Sequence, residues 1–261
     1  MKIGITGQNG FIGYHLTQTI NYTLKDWSIV PFKRSFLDDS KALDFFVSSC
    51  DVIVHLAAMN RHENMEVLYK TNMDLVEQLI SSLERTKSKA HVLFSSSSQE
   101  DRDNLYGKSK KDGRILLERW AKTNGGKFTG LVIPNVFGPF GQPNYNSVVA
   151  TFSHKLANGE KPVIQVDGEL KLIYVNELAE EIINKIKGNK SESLYQVPHT
   201  SIAKVSEILS LLKKFKECYQ DKGEIPTINN TFELNLFNTY RCYMDIKNTF
   251  DRTIFYIPLI F

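Results

Sequence analysis

The chain has 261 residues, 42% hydrophobic and 23% charged, which is ordinary for a globular protein with room for one large domain or a domain and a small appendage. Its net charge of +3 is too small to argue for nucleic acid or an anionic membrane as partner. Cys50, Cys218 and Cys242 are scattered and odd in number, without metal-ligand spacing or a disulfide framework, and fit a reducing cytoplasm.

Met1 runs directly into a strand-like segment, so no signal peptide is expected. Lys2 to Thr6 reads as a short buried strand, followed at once by Gly7-Gln-Asn-Gly10-Phe-Ile-Gly13 and an amphipathic helix to about Leu24. Glycines between a strand and a helix suit a dinucleotide: Gly7 permits the tight turn, Gly10 lets backbone approach a pyrophosphate, and Gly13 lets the helix pack on the strand. The helix N-terminus, opened by Phe11 and Ile12, then offers N–H groups and its positive dipole end to phosphate. The alternative is a glycine-rich turn without ligand. Trp27 to Phe32 is the second strand. An NAD-selective fold places an acid near its end, whereas Lys33 and Arg34 stand here and suit the 2′-phosphate of NADP. A solvated basic turn is the plainer alternative.

Asp39 to Ser49 reads as a short helix, and Asp51 to Ala58 as a third, buried parallel strand whose small end residues Leu56, Ala57 and Ala58 let a cofactor lie close. His55, inside that run, is expected to be a packed, hydrogen-bonded core residue. Asn60, Arg61 and His62 follow the strand's carboxyl end, where open α/β sheets bind ligands, so Asn60 and Arg61 are candidate substrate contacts. Met65 to Thr86 is a long helix, its apolar face interrupted by Asn72.

His91 to Ser95 opens the next strand and runs into the serine series 95–98, a polar loop and a helix from Tyr106 to about Asn124, ended by Gly125-Gly126. Tyr106 and Lys110 stand at i and i+4 on one helix face. An ammonium beside a phenol favours the phenolate and makes the phenol a better proton donor. A surface Tyr and Lys sharing a face is the bland alternative. Lys127 to Val136 is a further strand leading to Pro134-Asn135-Val136-Phe137-Gly138-Pro139. Strand and helix alternate up to this point, which implies a parallel sheet with right-handed crossovers and a Rossmann-like α/β fold. Each candidate ligand group falls at a strand's C-terminal end.

After Pro139 the rhythm changes. Val148 to Asn158 reads as a helix, Val163 to Val166 and Leu170 to Val175 as strands around an Asp167-Gly168 hairpin turn, and Asn176 as the cap of a helix to about Lys187. Leu194 to Val197 reads as a strand and Ser201 to Tyr219 as an amphipathic helix. The expected organisation is a dinucleotide-binding core over 1–140, a substrate-binding lobe over 141–240 interleaved with it, and a tail over 241–261. The apolar run 254–261 is too short to span a membrane and is expected to bury against the chain or a partner.

Gly7/Gly10/Gly13, the strand end His55-Leu-Ala-Ala58, the serines 95–98, Tyr106-x-x-x-Lys110 and Pro134-Asn135-x-Phe137-Gly138-Pro139 together resemble the extended short-chain dehydrogenase/reductase superfamily. More narrowly, Ser95 to Ser98 with the short loop to Tyr106, the segment 143–152, and 232–240 resemble the bacterial capsular-polysaccharide reductases of the UDP-N-acetyl-L-fucosamine pathway. That resemblance covers about residues 1 to 240. It implies NADPH-dependent reduction of a 4-keto UDP-sugar in surface-polysaccharide precursor synthesis, in the cytoplasm and without a catalytic metal. Tyr106 is then the proton donor, Lys110 its activator and a ribose contact, and Ser97 the catalytic serine, with Ser96 as fallback. Asn135, Asn144 and Asn146 match substrate positions. The resemblance also implies a homodimer through the helices 65–86 and 106–124. Those reductases carry a C-terminal, metal-bearing cupin domain, which is expected to be missing here. Two other readings stay open: an epimerase or dehydratase that recycles tightly bound NAD(P), and a non-catalytic NAD(P)-binding sensor or scaffold.

Overall fold

The structure, a computed structural model, describes residues 1–245. Up to residue 134 the chain order is β1 (Lys2–Thr6), α1 (Phe11–Thr23), β2 (Ser28–Val30), a 3-10 turn (Arg34–Asp38), α2 (Ser40–Ser48), β3 (Val52–His55), α3 (Met65–Arg85), β4 (His91–Ser97), α4 (Leu105–Asn124) and β5 (Lys127–Ile133). Then follow β6 (Asn135–Phe137), α5 (Val148–Ala157), β7 (Glu169–Tyr174), α6 (Val175–Gly188), β8 (Glu192–Gln196), β9 (Ser201–Lys204), α7 (Val205–Phe215), a π-helical turn (Lys216–Asp221) and α8 (Thr231–Arg241). These elements form two compact units. Met1–Pro134 and Val175–Pro198 make the first, and Asn135–Tyr174 with the described residues from His199 onward makes the second.

The first unit is a six-stranded parallel sheet in the order β2-β1-β3-β4-β5-β8. Every residue of β3 and β4 is buried, as expected of strands covered on both faces. On one face α2, α3 and α4 close a core of Phe46, Val76, Leu83, Phe94, Leu117 and Trp120. The chain steps from β1 to β2 in one direction and then places β3, β4 and β5 on the other side of β1. The order therefore reverses between β1 and β3, and the crevice at the carboxyl ends of such strands is where open α/β sheets take ligands. Polar residues start the helices: Asp39 accepts from the Lys41 and Ala42 amides, Asn64 from Glu66 and Val67, and Asn104 from Gly107.

The second unit has a three-stranded sheet, β6-β7-β9, with β6 and β7 parallel and β7 and β9 antiparallel. Phe137, Phe152, Leu172, Leu212, Phe215, Leu236 and Tyr240 form its core.

Several local expectations are corrected. Residues 163–166 form no strand, and there is no hairpin at Asp167-Gly168. Instead the Asp167 carboxylate accepts from the Ser206 amide at 2.8 Å and the Gly168 carbonyl from the Val205 amide at 3.1 Å, so this turn receives the start of α7. Residues 201–204, read as helix, are strand β9, and the helix starts at Val205, where the Glu207 carboxylate accepts from the Lys204 amide at 2.9 Å. The strand read as 127–136 is two strands of different sheets, β5 and β6, parted at Pro134, which has no N–H to give a ladder. Asn176 lies inside α6, which begins directly at the end of β7. The segment 175–198, assigned to the lobe by the sequence, folds in the first unit, where α6 packs on α1 and β8 covers the edge of β5. Of the expected tail, residues 246–261, including the apolar run 254–261, lie outside the described residues.

Candidate active site

The glycine loop joins β1 to α1 and sits at the point of strand reversal. Gly7 has φ +75°, a left-handed conformation that side chains rarely adopt, and its carbonyl accepts from the Gly10 amide at 2.9 Å. A Cβ on Gly13 would stand 2.2 Å from the Gly7 carbonyl oxygen, and one on Gly7 3.1 Å from the Ala57 amide nitrogen. The loop is thus closed down on its own helix and on the end of β3 at Leu56 and Ala57, which Ala58 follows in the chain. Gly10, the N-cap of α1, contributes no side-chain cap, and no acidic residue occupies the first turn, which starts at Phe11 and Ile12. Bare N–H groups, the helix dipole and close backbone approach fit a dinucleotide pyrophosphate. The Gln8 side chain accepts from the Phe32 amide at 3.2 Å and ties this loop to the segment carrying Lys33 and Arg34, both exposed.

The second half of the site is the passage from β4 to α4. Tyr106 lies in the first turn of α4 and Lys110 one turn further on. The Lys110 ammonium stands 5.8 Å from the centre of the Tyr106 ring and 5.3 Å from that of Phe94, and it donates to the Ser95 carbonyl at 3.0 Å. Lys110 is only 4% exposed, and burial lowers its pKa to about 8. Beneath it, His55 stacks on Phe94 and shares a 2.8 Å hydrogen bond with the Thr6 hydroxyl. Burial, aided by the Lys110 charge, lowers the His55 pKa to about 3, so this ring is neutral and leaves the ammonium as the local charge. His55 is the packed core residue expected.

The serines divide by the alternation of a strand. Ser95 donates to the His55 carbonyl at 3.1 Å. Ser96 points to the other side and donates to the buried Glu100 carboxylate, which is held by both forks of Arg114 at 2.8 Å. Ser97 ends the strand, and its hydroxyl accepts from the Gln99 amide at 3.2 Å. The Ser97 oxygen therefore keeps its proton to give elsewhere, whereas that of Ser96 is committed. Glu100 and Arg114 were absent from the sequence reading. Arg114 alone left a signal, being at i+4 from Lys110 on the same helix face, whereas its pairing with Glu100 spans 14 residues and left none.

Asn60 and Arg61 are exposed in the loop after β3. Asn72 of α3 grips this loop through the Met59 amide at 2.7 Å and the Met59 carbonyl at 3.0 Å, and it also donates to Ser109 at 3.0 Å. Asn135, Asn144 and Asn146 belong to the second unit. There Asn135 donates to the Lys171 carbonyl at 3.2 Å, and Asn144, at φ 55°, gives its amide to the Thr151 hydroxyl at 3.0 Å. Among the described residues no group of three or more His, Cys, Asp or Glu side chains is placed to hold a metal, and no helix is long and apolar enough to cross a membrane.

The profile of the NAD dependent epimerase/dehydratase family matches residues 3–192. The chain belongs to this family. Within it, the chain is 32% identical over 221 residues to the UDP-2-acetamido-2,6-beta-L-arabino-hexul-4-ose reductase of Pseudomonas aeruginosa, covering 83% of this chain and 58% of that protein. Among solved structures, the capsular polysaccharide assembling protein CapF of Staphylococcus aureus superposes with a TM-score of 0.81 at 34% identity, over 95% of this chain and 66% of CapF. The chain thus spans less than two thirds of the length of either relative. RMD of Pseudomonas aeruginosa, solved with NADPH, shares the fold at a TM-score of 0.81 and 18% identity, over 94% of this chain and 100% of RMD. The glycine loop and the Tyr106/Lys110 helix both lie within the matched region.

Proposed function

We propose that this chain catalyses the NADPH-dependent reduction of a 4-keto nucleotide sugar, supplying precursor for a surface polysaccharide. The observation that carries this reading is the Lys110 ammonium, buried and 5.8 Å from the Tyr106 ring, on the sheet edge that also carries the glycine loop. The 32% identity to a hexul-4-ose reductase supports the substrate class. NADPH rather than NADH follows from Lys33 and Arg34, where an NAD-selective site would carry an acid.

A bound nicotinamide supplies hydride to the carbonyl carbon. Tyr106 gives its hydroxyl proton to the carbonyl oxygen, so hydride and proton together make the alcohol. Ser97 donates a hydrogen bond to the same oxygen as charge grows on it. Lys110 stabilises the phenolate left on Tyr106 and holds the nicotinamide ribose. Asn60, Arg61, Asn135, Asn144 and Asn146 serve as substrate contacts. The chain works as a homodimer through α3 and α4, and light scattering at the mass of a monomer would contradict this.

The test is NADPH oxidation against a panel of 4-keto UDP- and dTDP-sugars. Wild type consumes NADPH one for one with substrate and prefers it to NADH. Tyr106→Phe loses about 10²- to 10⁴-fold in kcat while its NADPH affinity stays unchanged. Retained turnover in that variant removes Tyr106 from its role. Conversion of a nucleotide sugar without net NADPH consumption instead favours an epimerase or dehydratase, and binding of NADPH without turnover of any substrate favours a sensor.

A further inference from the structure

Between the two proposed catalytic hydroxyls runs the loop 98–104, anchored at its centre by an ion pair that the reaction does not use. Glu100 and Arg114 are 8% and 7% exposed. Arg114 Nε and Nη2 each donate to a separate carboxylate oxygen at 2.8 Å, Ser96 adds a third hydrogen bond, and Arg114 Nη1 reaches the Ser193 carbonyl of β8 at 3.3 Å. The backbone has been cleared for this arrangement. A Cβ on Gly130 would stand 2.5 Å from Arg114 Cδ, and one on Gly107 2.0 Å from the Gln99 carbonyl oxygen. Stability alone is a poor reason for such a pair, because apolar side chains of similar volume in its place are often as stable. A planar, bidentate pair does something apolar packing cannot, which is to fix one geometry. Here the fixed point lies three residues after Ser97 and six before Tyr106, and the loop adds its own turns from Ser97 to Glu100 and from Gln99 to Arg102.

We propose that Ser96, Glu100 and Arg114 form a positioning clamp that sets the loop 98–104, and with it the mutual placement of Ser97 and Tyr106. Glu100 and Arg114 are positioning residues, acting through the loop without touching substrate or cofactor. This rests on the roles assigned above to Ser97 and Tyr106. It goes beyond them by locating the device that aligns the two.

The test uses the full chain with Glu100→Gln and the double variant Glu100→Leu/Arg114→Met. Glu100→Gln leaves a buried guanidinium poorly paired and loses stability. The double variant removes both charges together and keeps volume, so it folds with a melting temperature near wild type. In that double variant amide hydrogen exchange rises at least about 10-fold in residues 97–106 and stays unchanged in β1, β3 and α1. With substrate, kcat falls about 10- to 100-fold while KM and NADPH affinity stay within about 2-fold, as misplaced reacting groups require. Unchanged exchange in 97–106, or exchange raised throughout the first unit, overturns the clamp, and so does a wild-type kcat in the double variant when Tyr106→Phe is inactive. If wild type reduces no sugar of the panel, the proposed reaction fails, and the exchange measurement still decides the clamp.

Discussion

Lys110 carries its charge in a buried place, and that has two consequences of opposite sign. Burial lowers its pKa from 10.5 to about 8, so between these values the unfolded chain binds the proton that the folded chain has lost. Stability of the ligand-free protein therefore rises with pH from about 8. Cys50 works against this from pH 9 upward, because burial raises its pKa from 9.0 to about 12 and the unfolded chain loses that proton first. The denaturant midpoint should accordingly rise between pH 8 and 9, and Lys110→Met should flatten the rise. In the proposed reaction the same deprotonation would remove the charge that stabilises the Tyr106 phenolate, so kcat/KM should fall above about pH 8. A profile level to pH 9.5 would deny Lys110 that part. His55 is set by the same burial. It was legible as a core residue because it interrupts an apolar strand, but its stacking on Phe94 beneath Lys110 was not, since those side chains come from three separate elements.

The glycine loop is the element most constrained by its own sequence. Gly13 has the Gly7 carbonyl where a Cβ would go, and this collision is with backbone that cannot swing aside. Gly13→Ala should cost about 1–3 kcal/mol by overpacking and weaken dinucleotide binding far more than it weakens the fold, because the displaced loop is the proposed phosphate cradle. Calorimetry and NADPH fluorescence titration separate the two effects. Gly10→Ala meets the same oxygen at 3.2 Å, a distance that a small shift relieves, so its loss should be the smaller. Comparable losses at both positions would contradict this reading of the loop. The β4–α4 passage was legible in the same way for Tyr106 and Lys110, which are neighbours along one helix. The choice of Ser97 over Ser96 came from the resemblance, and what the sequence left unread is how each hydroxyl is bonded. That depends on which serine faces Glu100 and Arg114, and those residues reach β4 from a loop and from a helix.

The first unit is completed from two stretches of chain that the second unit's first segment separates. All but the first residue of β5 are buried, and β8 supplies the parallel neighbour at its outer edge. On the face of α1, buried Leu16 and Ile20 meet a helix, α6, whose Leu178, Ile182 and Ile186 are also buried. A fragment ending at Pro134 therefore exposes both a strand edge and an apolar helix face. It should show no cooperative thermal transition, whereas residues 1–134 joined to 175–198 by a flexible linker should regain one. Equal cooperativity of the two fragments would mean that the second stretch is dispensable.

From the sequence came what is local. The strand–glycine–helix start, the alternation that implies a parallel sheet, the Tyr106–Lys110 spacing and the basic pair after β2 each depend on residues within a turn or a loop of one another. The tertiary structure decided what joins distant residues. It paired β7 with β9, from Glu169 on Lys204 to Leu172 on Ser201, where the local pattern had pointed to a hairpin. It returned α6 and β8 to the first unit and closed Glu100 onto Arg114. The physical reason is common to all three: a strand edge, an apolar helix face and a buried charge each specify the kind of partner they need, while only the folded chain specifies which residue supplies it.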